Sequence, residues 1–140
     1  MATLYAAEAA NYATSGAMAY GYEQGASVVV YAATITLATQ TTSDTIVLAK
    51  VPEGCRFAYG MLNSTVSLGT STIAIGVSGS TGKYRAAATF TATQTPTPFG
   101  VVAATNTRVG SGGETIFITI ATASLPASGT LDVQLYFYKA

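Results

Sequence analysis

The residues in this 140-residue chain that could do chemistry are few and scattered. Cys55 is the only cysteine and there is no histidine to take its proton, and a thiol without a partner base is poorly activated for covalent catalysis. It reads as a structural thiol following a turn. Two facing carboxylates could cleave a glycosidic bond, but Asp44, Glu53, Glu114 and Asp132 stand far apart in sequence and read as solvated charges at strand ends or turns. Gly79-Ser80-Thr81-Gly82-Lys83 has the outline of a phosphate loop. That loop needs a glycine five residues before the Gly-Lys pair and a Ser or Thr after the lysine, where this chain has Val77 and Tyr84. The segment reads instead as a hairpin turn. Gly110-Ser111-Gly112-Gly113 lacks the spacing and the helix of a dinucleotide site and reads as a mobile loop. Asn63-Ser64-Thr65 matches a glycosylation acceptor but falls inside a strand pattern. The expectation is a protein that is not an enzyme, with no catalytic residue, no cofactor and no metal ligand.

Composition narrows the partners. Six Lys/Arg balance six Asp/Glu, so formal net charge is zero, which argues against nucleic acid, where a basic footprint supplies most of the affinity. No run approaches the roughly 20 apolar residues of a membrane-spanning helix. A basic region followed by an apolar run is missing at the N-terminus, so no secretory leader is expected, and one cysteine cannot close an internal disulfide. Folding in a reducing cytoplasm is the simplest expectation. Sparse charge protects poorly against self-association, which suits a subunit of an assembly.

The elements that must position any site are strands. Residues 1–24 stand apart as an N-terminal arm holding Tyr5, Tyr12, Tyr20 and Tyr22, four of the nine tyrosines, with Gly16 and Gly21 interrupting any long helix. Tyrosine combines large contact area with a polar tip, so the arm is expected to dock on a partner. From residue 25 to 140 the period changes to two, the mark of strands with one buried face. The pattern predicts Val28–Leu37, Thr45–Val51, a long Cys55–Leu68 strand bent near Gly60, Ser71–Val77, a strand with Tyr84, Ala86, Ala88 and Phe90 on one face, Phe99–Ala104, Thr115–Ala121 and Thr130–Tyr138. In the long third strand, Phe57, Tyr59 and Met61 are expected on one face and Leu62, Val66 and Leu68 on the other. Ser78–Gly82 reads as a turn, and Thr95-Pro96-Thr97-Pro98 as an edge or loop, because proline cannot donate to an interior ladder. Ile116, Ile118 and Ile120 are expected to face Leu131, Val133, Leu135 and Phe137 across a core, which leaves Tyr136 and Tyr138 on the opposite face. About eight strands separated by turn signals make an all-β antiparallel sandwich of jelly-roll type, with the first and last long strands as neighbours.

The stretch Asp44-Thr45-Ile46-Val47-Leu48-Ala49-Lys50-Val51-Pro52-Glu53-Gly54-Cys55-Arg56-Phe57 resembles a recurring element of tailed-bacteriophage capsid decoration, or cement, proteins. There an apolar strand, a Pro-x-Gly turn and a second strand precede a Ser/Thr-rich stretch ending in Leu-Gly, here Gly60 to Gly69 followed by Ser71 to Gly76. Leu125-Pro126-Ala127-Ser128-Gly129-Thr130-Leu131 and the closing aromatic strand are similar to that group as well. The likeness covers residues 25–140 and leaves out the arm. It implies a jelly-roll body bound to the outer surface of the virion capsid, where it would clamp neighbouring subunits of the major capsid protein. Self-association as a homodimer or homotrimer is expected, with Arg56, Arg85 and Arg108 pairing across the subunit boundary. The interface residues expected are Tyr5, Tyr12, Tyr20, Tyr22, Tyr136 and Tyr138. The alternative is a receptor- or glycan-binding sandwich module of a phage fibre or bacterial surface structure, since a fold does not fix a function.

Overall fold

Alternation of apolar and polar residues produces eight strands in the computed structural model, which describes residues 28–139. They are β1 (Val28–Thr36), β2 (Thr45–Val51), β3 (Cys55–Ser64), β4 (Thr72–Val77), β5 (Ser80–Thr89), β6 (Thr97–Phe99), β7 (Glu114–Ala121) and β8 (Thr130–Lys139). Two four-stranded sheets result, ordered β1-β8-β3-β6 and β2-β7-β4-β5. The antiparallel pairs β1/β8, β2/β7, β3/β6 and β4/β5 are those of one long hairpin wound around two sheets. This is the jelly roll expected from the sequence, and its first and last strands pair from Val28↔Tyr138 to Thr36↔Thr130.

The core lies between the sheets. β8 buries every second residue (Leu131, Val133, Leu135, Phe137), while β7 buries Ile116, Ile118 and Ile120 and β4 buries Ile73 and Ile75. The expected isoleucine and leucine sets thus both point inward from opposite sheets. Phe57, Tyr84 and Phe137 form an aromatic centre. Phe57 lies 4.6 Å from Tyr84 and 5.4 Å from Phe137 between ring centroids. Tyr31 of β1 meets Phe137 edge-on at 5.8 Å. Such tilted and edge-on contacts suit the ring quadrupoles. Cys55 is fully buried in the same core.

Four local expectations are corrected, the first two by a break in the period of two. In β3 the register with β8 slips between Phe57 and Tyr59. That bulge turns Phe57 inward with Gly60 and Leu62, and sends Tyr59 and Met61 outward, so the expected Phe57-Tyr59-Met61 face does not exist. In β5 the register with β4 slips twice, and only Tyr84 and Phe90 of the expected face are buried, whereas Ala86 and Ala88 are exposed. The strand predicted at Phe99–Ala104 is displaced: β6 is Thr97–Phe99, and residues 102–104 form a turn. Pro98 fits there because β6 is the sheet's edge. Finally, the turn predicted over Ser78–Gly82 is only Ser78-Gly79, with Val77 paired to Ser80 and Gly79 at φ 83° in the left-handed region.

Two polar devices secure these irregular places. Where β5 bulges, the Arg85 guanidinium donates to the carbonyls of Ile73 at 2.5 Å, Ala88 at 3.1 Å and Thr89 at 3.2 Å. Arg85 is therefore a staple within the chain, and its partial burial lowers its pKa. Glu114, at the start of β7, accepts from Lys83 at 2.7 Å and from the hydroxyl of the buried Tyr84. This corrects the reading of Glu114 as a solvated charge, since its side chain is only 14% exposed. Tyr84 holds its proton well above the usual tyrosine range. Burial is the main cause, followed by the hydrogen bond to Glu114 and that carboxylate's charge.

Ile118→Ala should cost about 2–5 kcal/mol through lost burial and the cavity left behind, and Tyr138→Ala on the outer face should cost less; thermal melts of both variants measure the difference. The Tyr84 environment gives a second test. The unfolded chain loses the phenolic proton near pH 10 while the folded chain keeps it. Stability from this group is therefore complete below that pH and declines above it, where the unfolded state binds fewer protons. Melts at neutral and at strongly alkaline pH should show a steeper loss for the parent chain than for Tyr84→Phe, and equal losses would contradict the assignment.

Candidate functional site

Three of the four acids first considered for chemistry are engaged locally. Asp44 Oδ2 accepts from the backbone N–H of Thr41 at 2.8 Å, and Glu53 Oε2 accepts from that of Gly112 at 3.3 Å. Glu114 belongs to the Lys83–Tyr84 cluster. Asp132 is not at a strand end: it sits within β8, exposed on the outer face. These four acids thus have separate surroundings. Among the described residues no group of three or more His, Cys, Asp and Glu is placed to hold a metal ion. Tyr31 has a raised pKa, from burial first and from nearby Cys55 second.

The outer face of the β1-β8-β3-β6 sheet is different, because it gathers exposed apolar and aromatic side chains. The register places them in rows across three strands. One row runs Val28–Tyr138–Arg56, the next Val30–Tyr136–Tyr59, and the next Ala32–Gln134–Met61, with Pro98 of β6 beside Met61. Side chains directly opposite on antiparallel strands share a face, so these rows form one continuous surface. Val28 is 63%, Val30 45% and Tyr59 44% exposed. Exposed apolar side chains are ordinary singly, but a contiguous patch marks an interaction site.

The aromatics of this face are held in place. Tyr59 and Tyr136 stack with centroids 4.5 Å apart and planes 11° from parallel. The Tyr136 hydroxyl donates to Gln134 Oε1 at 2.8 Å. Tyr138 donates to Asn106 Oδ1, and Arg56 donates to the Asn106 carbonyl at 2.6 Å. Arg56 and Tyr138 thereby anchor the loop that follows β6. Rings fixed before contact lose little conformational freedom on binding, which suits recognition.

Of the expected interface tyrosines, Tyr136 and Tyr138 lie together on this face, as the alternation of β8 required. Tyr5, Tyr12, Tyr20 and Tyr22 lie outside the described residues. Sequence reasoning missed Tyr59, Val28 and Val30. A strict period of two puts Tyr59 on the same face as Phe57, and only the bulge between them separates the two. β1, which begins at Val28, is an edge strand of this sheet.

No family model matches this chain, and no curated protein matches it. Solved structures do. A chain of the structure described as "Cyanophage Pam1 capsid asymmetric unit" is similar with a TM-score of 0.71 and 23% identity, over 91% of this chain and 96% of that one. A chain of "Capsid of Ralstonia phage GP4" is similar with a TM-score of 0.66 and 18% identity, over 81% of this chain and 85% of that one. A third, from "Acidic stable capsid structure of Helicobacter pylori bacteriophage KHP30", has a TM-score of 0.59 and 9% identity over 81% and 89%. The sandwich described above is therefore a fold found in the capsid structures of three phages.

Proposed function

We propose that this chain is a structural protein of a phage capsid, a decoration or cement subunit that binds the outer surface of the head. Its task is to bridge neighbouring major capsid subunits, and it does no covalent chemistry. The observation that carries this reading is the pre-arranged face of Val28, Val30, Tyr59, Tyr136 and Tyr138, which has the aromatic content of a protein interface. The fold shared with chains of phage capsid structures supports it.

Attachment through many copies does not demand tight single contacts, because a multivalent array raises the effective concentration of every further contact. Self-association into a dimer or trimer would match the subunit to a symmetry axis of the shell. The arm, residues 1–24, adds a second docking element in this reading, because its tyrosines provide contact area apart from that of the sheet. Sparse charge on the described surface is compatible with a life spent against a neighbour.

Truncation of Tyr59 and Tyr136 together should weaken attachment to purified phage particles lacking the protein by roughly tenfold or more, since aromatic anchors dominate interface energetics. The melting temperature should change little, because both rings lie on the outer face. Co-sedimentation with the particles reads the first and thermal unfolding the second. Deleting residues 1–24 should likewise leave a folded body that attaches less well. Undiminished attachment by the double-tyrosine variant would contradict this choice of face.

A further inference from the structure

A phenol ring can be joined covalently to another phenol ring, and the fold brings two of them into contact. The described residues hold Tyr31, Tyr59, Tyr84, Tyr136 and Tyr138. Tyr31 meets Phe137, Tyr84 packs on Phe57 in the core, and the Tyr138 hydroxyl is taken up by Asn106. Tyr59 and Tyr136 are the tyrosine pair that stacks, with centroids 4.5 Å apart and planes 11° from parallel. They are direct cross-strand partners in β3 and β8, so both rings leave the same face of the sheet side by side. Tyr138 lies on that face too, but about 7 Å further along the strand from Tyr136. Tyr59 is 44% exposed and Tyr136 is half-buried, so an oxidant in solution can reach the pair.

We propose that Tyr59 and Tyr136 form a site of oxidative coupling, at which the two rings join as dityrosine and clamp β3 to β8. The oxidant is of the one-electron class that a haem peroxidase supplies from hydrogen peroxide, with two equivalents used for each link. Each phenol gives one electron to the oxidant and its hydroxyl proton to solvent, which leaves a phenoxyl radical. The two radicals join at ring carbons next to the oxygens, forming one carbon–carbon bond. The hydrogens on those carbons then move to the oxygens and restore both hydroxyls. The chain loses two electrons and two protons, and one peroxide takes them up as two waters.

The arrangement favours a link within the chain over one between copies. Reacting groups held in contact meet at a high effective concentration, and the Tyr136 hydroxyl is further fixed by Gln134 Oε1 at 2.8 Å. Thiol chemistry offers no such link, because the single cysteine, Cys55, is buried and has no partner in its own chain. Residues 59 and 136 enclose more than half of the sequence, and a cross-link over a long loop restricts the unfolded chain. The coupled protein should therefore resist unfolding better than its parent. A neighbour covering this face would shield the pair, so the reaction belongs to the unattached chain and does not rest on the docking reading.

The test treats the full chain, dilute and unattached, with a haem peroxidase and hydrogen peroxide. Blue dityrosine fluorescence should appear in a monomer lighter by two hydrogen atoms. Trypsin, cutting after Arg56, Lys83, Arg108 and Lys139, should release residues 57–83 joined to residues 109–139. The first of these peptides holds Tyr59 as its one tyrosine and the second holds Tyr136 and Tyr138. Tyr59→Phe and Tyr136→Phe keep a ring in the stack but should each lower the yield of linked monomer by about tenfold or more, whereas Tyr138→Phe should leave it unchanged. The purified linked monomer should melt at a higher temperature than the parent chain. Absence of the joined peptides, links found only between copies, or a link lost in Tyr138→Phe but kept in Tyr136→Phe would overturn the proposal. A linked monomer that melts below the parent would overturn it as well, because the rings would then have left their native stack to react.

Discussion

Both faces of the first sheet depend on one strand, β8, being held in a fixed register between β1 and β3. Side chains alternate strictly along a strand, so a slip of one residue would exchange its faces. In this register Leu131, Val133, Leu135 and Phe137 enter the core and Asp132, Gln134, Tyr136 and Tyr138 stand outside. The strong apolar character of the inner set fixes the outer set without further specification. The aromatic rows are a consequence of that choice, transmitted to β1 and β3 through the cross-strand pairs.

The second constraint is the bulge in β3. It lets Phe57 join the aromatic core while Tyr59, only two residues on, stacks on Tyr136 outside. Gly60 follows because the ring of Phe99 occupies the space its Cβ would need. One irregularity thus serves three ends: it seats Phe57, exposes Tyr59 and admits Phe99 of β6 over Gly60. A regular strand would have buried Tyr59 or expelled Phe57.

The fold was legible in the sequence wherever alternation is strict. Ile116-Ile118-Ile120 and Leu131-Val133-Leu135-Phe137 announce their faces directly, and with them Tyr136 and Tyr138. It was illegible where a bulge changes the parity, as at Phe57–Tyr59 and in β5 after Tyr84, because period-two patterns carry no marker of an inserted residue. Ala86 and Ala88 show the cost: small side chains are compatible with either face, so they could not reveal the break. The intrachain roles of Glu114 and Arg85 were hidden for another reason. Their partners, Lys83 and Tyr84 for the first and three main-chain carbonyls for the second, are brought near by the sheet and not by sequence spacing.

The account turns on the outer face of the β1-β8-β3-β6 sheet being the side that meets the capsid. An electron cryo-microscopy reconstruction of phage particles carrying the protein would place that face directly. The account predicts Tyr59, Tyr136 and Val30 buried against a major capsid subunit, with the opposite sheet turned to solvent. A reconstruction in which those three side chains face solvent and the β2-β7-β4-β5 sheet makes the contact would contradict it.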